Sequence, residues 1–457
     1  MISPSADRRG DSRFSLTTHR GIHPAERDVV VIGAGLAGLA ATIWLAKQGL
    51  KVTLVTKGIG GLQLGQGTVD IVGYTPERVD DVAAAVDRVA DWAPTGGRVA
   101  EDAPPRPSHP YTHFSGQYVI EACTWLRDLL GEDFLVGDGH HNVVLPTAVG
   151  ALRPTAFYQP SMAGGVLGGE EKHLVLVGLA RLKDFYPKLC ADNLSRQQTP
   201  DGHAIHARAI EVDVEIRAGE MDTNGVNHAR ALDDPSNRKR LVDAVKPLIR
   251  AGETVGFPAV LGLNDPHAWR DIQQQLGHPV FEIPIAPPSV PGMRVNQALT
   301  EMVKSQARVL LGSKVRSVRI DETSGRVTHV IVGTAGAPRA IATKNVILAA
   351  GGFESGGLEM DSYGDVAETI LGLPVAGTDG RLLHSDFWGA DQPLFMAGVA
   401  VDDQMRPLDG LGCVVHPNVY VAGGALAGAT RWREKSGEGI ALASALRAAE
   451  TIKGGIK

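Results

Sequence analysis

Cysteine is scarce in this sequence: 457 residues contain three, Cys123, Cys190 and Cys413, far apart and without a Cys-x-x-Cys pair. That scarcity excludes a self-contained iron–sulfur cluster or a four-cysteine zinc site and leaves no disulfide framework. A reducing, cytoplasmic setting is the expectation that follows. An excess of positive charge is also missing. The formal net charge is -6, so electrostatics gives no reason to expect nucleic acid or an anionic membrane as a partner. No apolar run reaches the roughly 18–20 residues that a membrane-spanning helix needs. The longest, Val419 to Ala429, is glycine-rich and begins like a strand. No metal site is expected either, because His109 and His113 are separated by Pro110 and no acid accompanies them in the sequence. Residues 1–26 are polar, and Arg8-Arg9 has no apolar segment behind it, so this stretch reads as a disordered leader.

What is present is the balance of a globular protein, 43% hydrophobic and 21% charged. The length predicts two domains, one interrupted by the other. Glycine is abundant, at 55 residues, and its placement carries the argument. Val29–Ile32 is a short β-branched run, followed at once by Gly33-Ala34-Gly35-Leu36-Ala37-Gly38. An Ala- and Leu-rich helix from Leu36 to Gln48 comes next, then a strand from Lys51 to Thr56. In such a βαβ unit Gly33 permits the turn out of the strand, Gly35 lets the main chain approach a phosphate, and Gly38 lets helix and sheet pack closely. The helix N-terminus supplies free N–H groups and a positive dipole end. A glycine-rich turn without a ligand is the bland alternative.

The unit departs from the dinucleotide pattern at one place. A nucleotide ribose normally meets an acid at the end of the second strand, and here that strand ends Val55-Thr56-Lys57-Gly58. Lys57 suits a terminal phosphate, and FMN has no adenosine half to need the missing acid. A solvated Lys57 beside an FAD bound by main chain alone is the alternative, so FMN is preferred and FAD stays open. Gly65-Gln66-Gly67-Thr68-Val69-Asp70 would let a flavin ring lie close to the backbone, or is a plain turn. Val346–Ala350 with Gly351-Gly352, and Val419–Ala422 with Gly423-Gly424 and Gly437-x-Gly439, look like the closing strands of two-dinucleotide-domain flavoproteins. There a helix N-terminus faces the flavin pyrimidine. The acid often found at the position of Gly424 is absent.

The expected fold is therefore α/β: a Rossmann-like two-dinucleotide-domain flavoprotein fold with an inserted α+β cap domain. The flavin-binding parts are placed at 27–138 and 292–457 and the cap at 139–291. Pro94–Pro110 marks a surface connection, Val119–Leu130 and Gln297–Val309 read as helices, and His173–Leu179, Val315–Ile320 and Val327–Val332 as strands. A last helix is expected from Gly439 to Thr451.

From Val29 to the C-terminal helix the chain resembles the B subunit of the anaerobic glycerol-3-phosphate dehydrogenases. The segments that carry the resemblance are Leu152-Arg153-Pro154-Thr155, Val177-Gly178-Leu179 with Lys183-Asp184-Phe185, and Pro287-Pro288-Ser289-Val290-Pro291-Gly292-Met293-Arg294. Phe353-Glu354-Ser355-Gly356-Gly357-Leu358, Ile370-Leu371-Gly372-Leu373 and Ser385-Asp386-Phe387-Trp388 add to them. The resemblance implies an FMN-linked subunit that partners a catalytic FAD subunit and a membrane-associated iron–sulfur subunit. It also implies a place at the inner face of the cell membrane through those partners. The complex would oxidise sn-glycerol 3-phosphate to dihydroxyacetone phosphate and pass electrons towards quinone. A stand-alone FAD enzyme of the fumarate-reductase type, and a non-catalytic assembly or relay subunit, remain alternatives.

A small phosphate substrate needs a cationic clamp, for which arginine suits best because its guanidinium binds oxyanions through two bonds. Arg153 and Arg294 are the candidates, each in a Pro-bounded stretch read as a loop, although each alone also fits a surface ion pair. His140, His141, His384 and His416 are candidate bases, and none is singled out.

Overall fold

The computed structural model describes residues 26–92, 105–216, 219–333, 336–386 and 389–456. The leader up to residue 25, the Pro94–Pro104 part of the connection, and Phe387-Trp388 lie outside those residues.

The β-branched run at the start becomes the strand Arg27–Ile32, in which Val29, Val30 and Val31 are fully buried. It pairs in parallel with Val52–Thr56 on one side and Arg339–Leu348 on the other. Arg308–Leu311 extends the sheet beyond Val52–Thr56, and Val419–Val421 extends it beyond Arg339–Leu348, both in parallel. Such strands are apolar on both faces because helices cover both sides. Arg339–Leu348 has a second role. Its first half pairs antiparallel with Val327–Val332, which in turn pairs with Val315–Ile320, so a three-stranded meander and the nucleotide sheet share one strand.

Two helices rich in small residues, Leu36–Lys47 and Gly437–Gly455, pack against each other and the sheet. Close approach is set by glycine. A Cβ on Gly33, whose φ is +110°, would stand 2.1 Å from the Ala349 carbonyl oxygen, and one on Gly38 would stand 1.9 Å from that of Gly33. The first strand, the glycine loop and the helix can coexist only without those methyl groups.

A second hydrophobic core draws its residues from Val144 to Val290, while Ala156 and Phe157 belong to the first. It surrounds a four-stranded sheet in the order Ile205–Val212, Lys172–Leu179, Thr254–Pro258, Val280–Ile283, parallel throughout. This pairing refines the expected α+β character: the insert's main sheet is parallel and helix-connected, as in α/β units. A separate antiparallel ribbon joins Val143–Pro146 to Leu152–Thr155.

The helix expected at Gln297–Val309 lies at Val290–Gln306 instead. Ser289 caps it by accepting from the Gly292 N–H, and Pro291 stands in its first turn, where a missing N–H costs nothing. Val309 falls in the strand Arg308–Leu311. Val290 belongs to the second core, whereas Val295, Leu299 and Val303 belong to the first. This helix bridges both. Replacing Gly38 with Ala is expected to destabilise the fold by about 1–3 kcal/mol, the usual cost of forced overpacking, read as a lower urea midpoint with an unchanged slope.

Candidate flavin site

The glycine loop ends in a bare helix terminus. Gly35 is the N-cap of Leu36–Lys47, with no side-chain cap and no acid in the first turn, and a Cβ on it would meet nothing within 4 Å. First-turn N–H groups without a partner among the described residues, at an open glycine, fit an anion such as a flavin phosphate. Lys57 is exposed just past the second strand. The turn after it folds back, and a Cβ on Gly60 would lie 2.1 Å from the Ala34 carbonyl oxygen. Sequence reasoning passed over Gly60, although its positive φ of 77° is a turn signal that Gly60-Gly61 could have supplied.

Beside the loop, the two later strand ends meet main chain to main chain. Gly351 and Gly423 have φ of +78° and +73°, and the Gly423 N–H donates to Ser444 Oγ at 3.0 Å. A Cβ on Gly352 would stand 2.8 Å from the Gly424 carbonyl oxygen, and one on Gly424 would stand 3.0 Å from Glu354 Oε1. Arg431 joins the pair, its Nη1 donating to the Gly424 carbonyl at 2.7 Å and its Nη2 to Glu354 Oε1 at 3.2 Å. The acid absent from position 424 therefore has a carboxylate beside it in space, delivered by Glu354.

The C-terminal helix starts at Gly437, two residues earlier than expected. Gly439 is closed to a ligand. Its N–H donates to the Asp70 carbonyl at 3.0 Å, and a Cβ there would meet Tyr111 Oη at 2.2 Å and Ile71 Cα at 2.9 Å. Gly67 differs from its expected role in a similar way. The space above it is filled by Pro291 and Gln159, which a Cβ on Gly67 would meet at 2.5 and 2.6 Å, so it serves packing inside the protein. Gly65 is roomier: a Cβ there would meet the Leu62 carbonyl oxygen at 3.4 Å and Glu438 Oε1 at 3.9 Å, ordinary contact distances.

Around Gly65–Asp70 the structure gathers charge. Asp70 is buried, and its carboxylate accepts from Thr155 Oγ1 (2.7 Å), Thr68 Oγ1 (3.2 Å) and Arg153 Nη2. Arg153 stands on the strand Leu152–Thr155, not in a loop; Pro154 is tolerated because the ribbon has only two strands. Its Nη1 and Nη2 also donate to Thr68 Oγ1 at 3.1 Å, while its Nε makes no hydrogen bond among the described residues. Lys435, with a left-handed φ of 54°, lies next to this group, and burial followed by the Arg153 charge lowers its ammonium from the ordinary value.

Arg294 is not part of that cluster. It sits in the first turns of Val290–Gln306 with a side chain 2% exposed, and every donor is occupied. Nη1 reaches Glu282 Oε2 (2.6 Å) and Gln159 Oε1 (3.1 Å), Nη2 reaches Glu282 Oε1 and the Leu261 and Gly262 carbonyls, and Nε donates to Gly262. A guanidinium so saturated holds protein together and has nothing left for a substrate phosphate.

The candidate bases are tied up locally. His384 Nε2 is 3.4 Å from the Asp391 carbonyl, His416 Nδ1 2.9 Å from the Gly325 carbonyl and His141 Nδ1 3.7 Å from Asp138 Oδ2, whereas at His140 it is the backbone N–H that donates to Asp138. His109 and His113 have acids after all, but separate ones, Glu434 and Asp403. Glu434 is buried in the turn before the C-terminal helix. Burial pushes its carboxyl up, yet the His109 bond and the Thr430 and Ser436 donors hold it below its ordinary value.

The sequence profile of the FAD binding domain family matches residues 28–440, so the chain carries a flavin-binding domain. It is 32% identical over 435 residues to the probable anaerobic glycerol-3-phosphate dehydrogenase B subunit of Halobacterium salinarum, covering 92% of this chain and 96% of that protein. To the anaerobic glycerol-3-phosphate dehydrogenase B subunit of Pectobacterium atrosepticum it is 30% identical over 441 residues, covering 93% and 98%. The chain belongs to this B-subunit family. Among the described residues of this family member, no helix is long and apolar enough to cross a membrane.

Truncating Arg294 to Ala leaves Glu282 buried and unpaired, which typically costs about 3–5 kcal/mol. Arg294→Ala should therefore lower the denaturation midpoint strongly, and the double change Arg294→Met with Glu282→Leu should recover most of the loss.

Proposed function

We propose that this chain is the FMN-bearing subunit of an anaerobic glycerol-3-phosphate dehydrogenase and serves the oxidation of sn-glycerol 3-phosphate to dihydroxyacetone phosphate. The observation that carries the substrate class is the pair of cations beside Gly65–Asp70. Arg153, on the Leu152–Thr155 strand, keeps its Nε–H unused, and Lys435, before the C-terminal helix, has no ion-pair partner among the described residues. Two cations from different elements beside one segment suit a small phosphate dianion. A flavin, when bound, would supply the two-electron acceptor for the alcohol carbon.

Two features support FMN over FAD: no acid closes the second strand, and Lys57 stands at its end. The bare terminus at Gly35 would take the phosphate, the abutting ends at Gly351, Gly352, Gly423 and Gly424 the middle of the cofactor, and Gly65 the ring. Arg294 and Gln159 position this wall without touching the ligand. Transfer of electrons towards quinone would pass through a catalytic FAD subunit and an iron–sulfur subunit, the latter holding the complex at the inner face of the cell membrane.

Heating the purified chain and identifying the released cofactor tests the first claim, with FMN expected; release of FAD or a colourless protein would sink it. Glycerol 3-phosphate should then bleach the bound flavin. Loss of a charge-assisted hydrogen bond costs about 1.5–3 kcal/mol, so Arg153→Ala should raise the glycerol 3-phosphate concentration needed roughly 10- to 100-fold. An unchanged requirement would return Arg153 to a purely structural role. A separate check uses Gly35→Ala, which should leave the melting temperature of the apoprotein unchanged and weaken flavin binding.

A further inference from the structure

The parallel sheet of the insert reverses its winding at one strand. Lys172–Leu179 comes first in the chain, with Ile205–Val212 on one side of it and Thr254–Pro258, then Val280–Ile283, on the other. Crossovers that part in this way leave a crevice beyond the carboxyl ends of the strands, where open α/β sheets bind small molecules. A cavity of about 480 Å³ opens there. One wall is the loop after Lys172–Leu179, with Lys183 and Asp184, and the other is formed by residues 222–227, which lead into the helix Gly225–Leu232. That helix starts just past the ends of the two remaining strands: a Cβ on Gly225 would meet Ile285 Cδ1 at 2.9 Å and Val260 Cγ1 at 3.3 Å. Lys183-Asp184-Phe185 is also one of the segments that carry the family resemblance, and the flavin site makes no use of it.

The walls are tied to each other. The Thr223 N–H donates to the Arg181 carbonyl at 2.8 Å, and Arg181 donates through Nε to Asp213 Oδ1 and through Nη1 to the Glu220 carbonyl, both at 2.7 Å. The Lys183 ammonium pairs with Asp222. What these bonds leave over alternates between acceptor and donor. The Asp184 carboxylate has no hydrogen bond or ion pair among the described residues. Asn227 gives its amide N–H to Thr223 Oγ1 at 2.8 Å and keeps Oδ1 as an acceptor. Thr223 is 8% exposed, and its own hydroxyl proton meets no acceptor among the described residues. Asn224 spends Oδ1 on the Asn227 N–H, which leaves its amide N–H groups to the cavity.

We propose that this crevice binds a neutral polyhydroxy molecule, a sugar or an alditol, with Asp184 accepting from two neighbouring hydroxyls and Thr223, Asn224 and Lys183 donating to hydroxyl oxygens. The charge of the lining selects against other classes. One ammonium stands against the three carboxylates of Asp184, Asp222 and Glu220, which repels phosphates and carboxylates. No aromatic or wholly aliphatic side chain among the described residues lines the cavity, so a flat apolar ring has nothing to pack on. Nor are the carboxylates set as metal ligands, since no group of three such side chains among the described residues could hold an ion. A hydroxyl both donates and accepts, and it alone uses every group that the walls leave over. The inference draws on no residue of the flavin site and stands or falls apart from the dehydrogenase reading.

Saturation-transfer NMR on the full chain tests it, with a panel of aldohexoses and hexitols and with spermidine as a cationic probe. At least one polyol should receive saturation from wild-type protein, and added salt should leave its affinity unchanged because the ligand carries no charge. Asp184→Ala, at an exposed side chain without a bond to lose, should keep the wild-type melting temperature and weaken that polyol roughly 10-fold or more. Thr223→Val, which keeps the shape and removes the hydroxyl, should weaken it as well. Arg153→Ala should bind the polyol as wild type does, which separates the crevice from the flavin site. Three results would overturn the proposal: no polyol of the panel bound, binding untouched by Asp184→Ala, or spermidine bound in a salt-sensitive way in place of the polyols.

Discussion

The ion pair between Arg294 and Glu282 is the fastening on which the site depends. Its two side chains are 2% and 0% exposed, and they come from the bridging helix and from the last strand of the insert. Taking two charges out of water is costly, and the cost is offset only when every donor and lone pair finds a partner. Here that condition is met by Gln159 and the Leu261 and Gly262 carbonyls. Gln159 passes the constraint on, its amide donating to the Gly67 and Pro291 carbonyls. The segment that runs on to Asp70 is thereby fixed between the two cores. Position, more than charge, is what this arginine contributes.

The two ends of the site are built from different materials. Around Gly35 the chain offers backbone N–H groups and a helix terminus, and contacts such as Gly33 against Ala349 or Gly423 against Ala37 keep side chains out. At Gly65–Asp70 the chain offers side chains, contributed by the ribbon (Arg153), the turn before the last helix (Lys435) and that helix itself (Glu438). Preorganised dipoles suit a bound anion, and titratable groups suit proton transfer.

Features set by neighbours in sequence were legible, and those set by folding were not. The strand, glycine loop and helix at Val29–Lys47 follow from local pattern, as do Val315–Ile320 and Val327–Val332, whose bounds agree with the alternation of their residues. Proline misled twice. Pro291 opens a helix and Pro154 sits in a two-stranded ribbon, yet both made their arginines look loop-borne. Arg153 nonetheless lies in the charged cluster, whereas Arg294 turned inward once Glu282 and Gly262 were brought beside it. Nothing in the local sequence around Glu438 announces that its turn docks on Asp70 and Gly65.

The strand Arg339–Leu348 is one covalent rod with two attachments. At one end it carries the meander, and just past the other it sets the Ala349 carbonyl against Gly33, with the Ala349 N–H bonded to the Ile32 carbonyl. A strand is stiff along its axis, and the gap at Gly33 has no slack for a methyl group. The meander and the glycine loop are thus joined through a single strand.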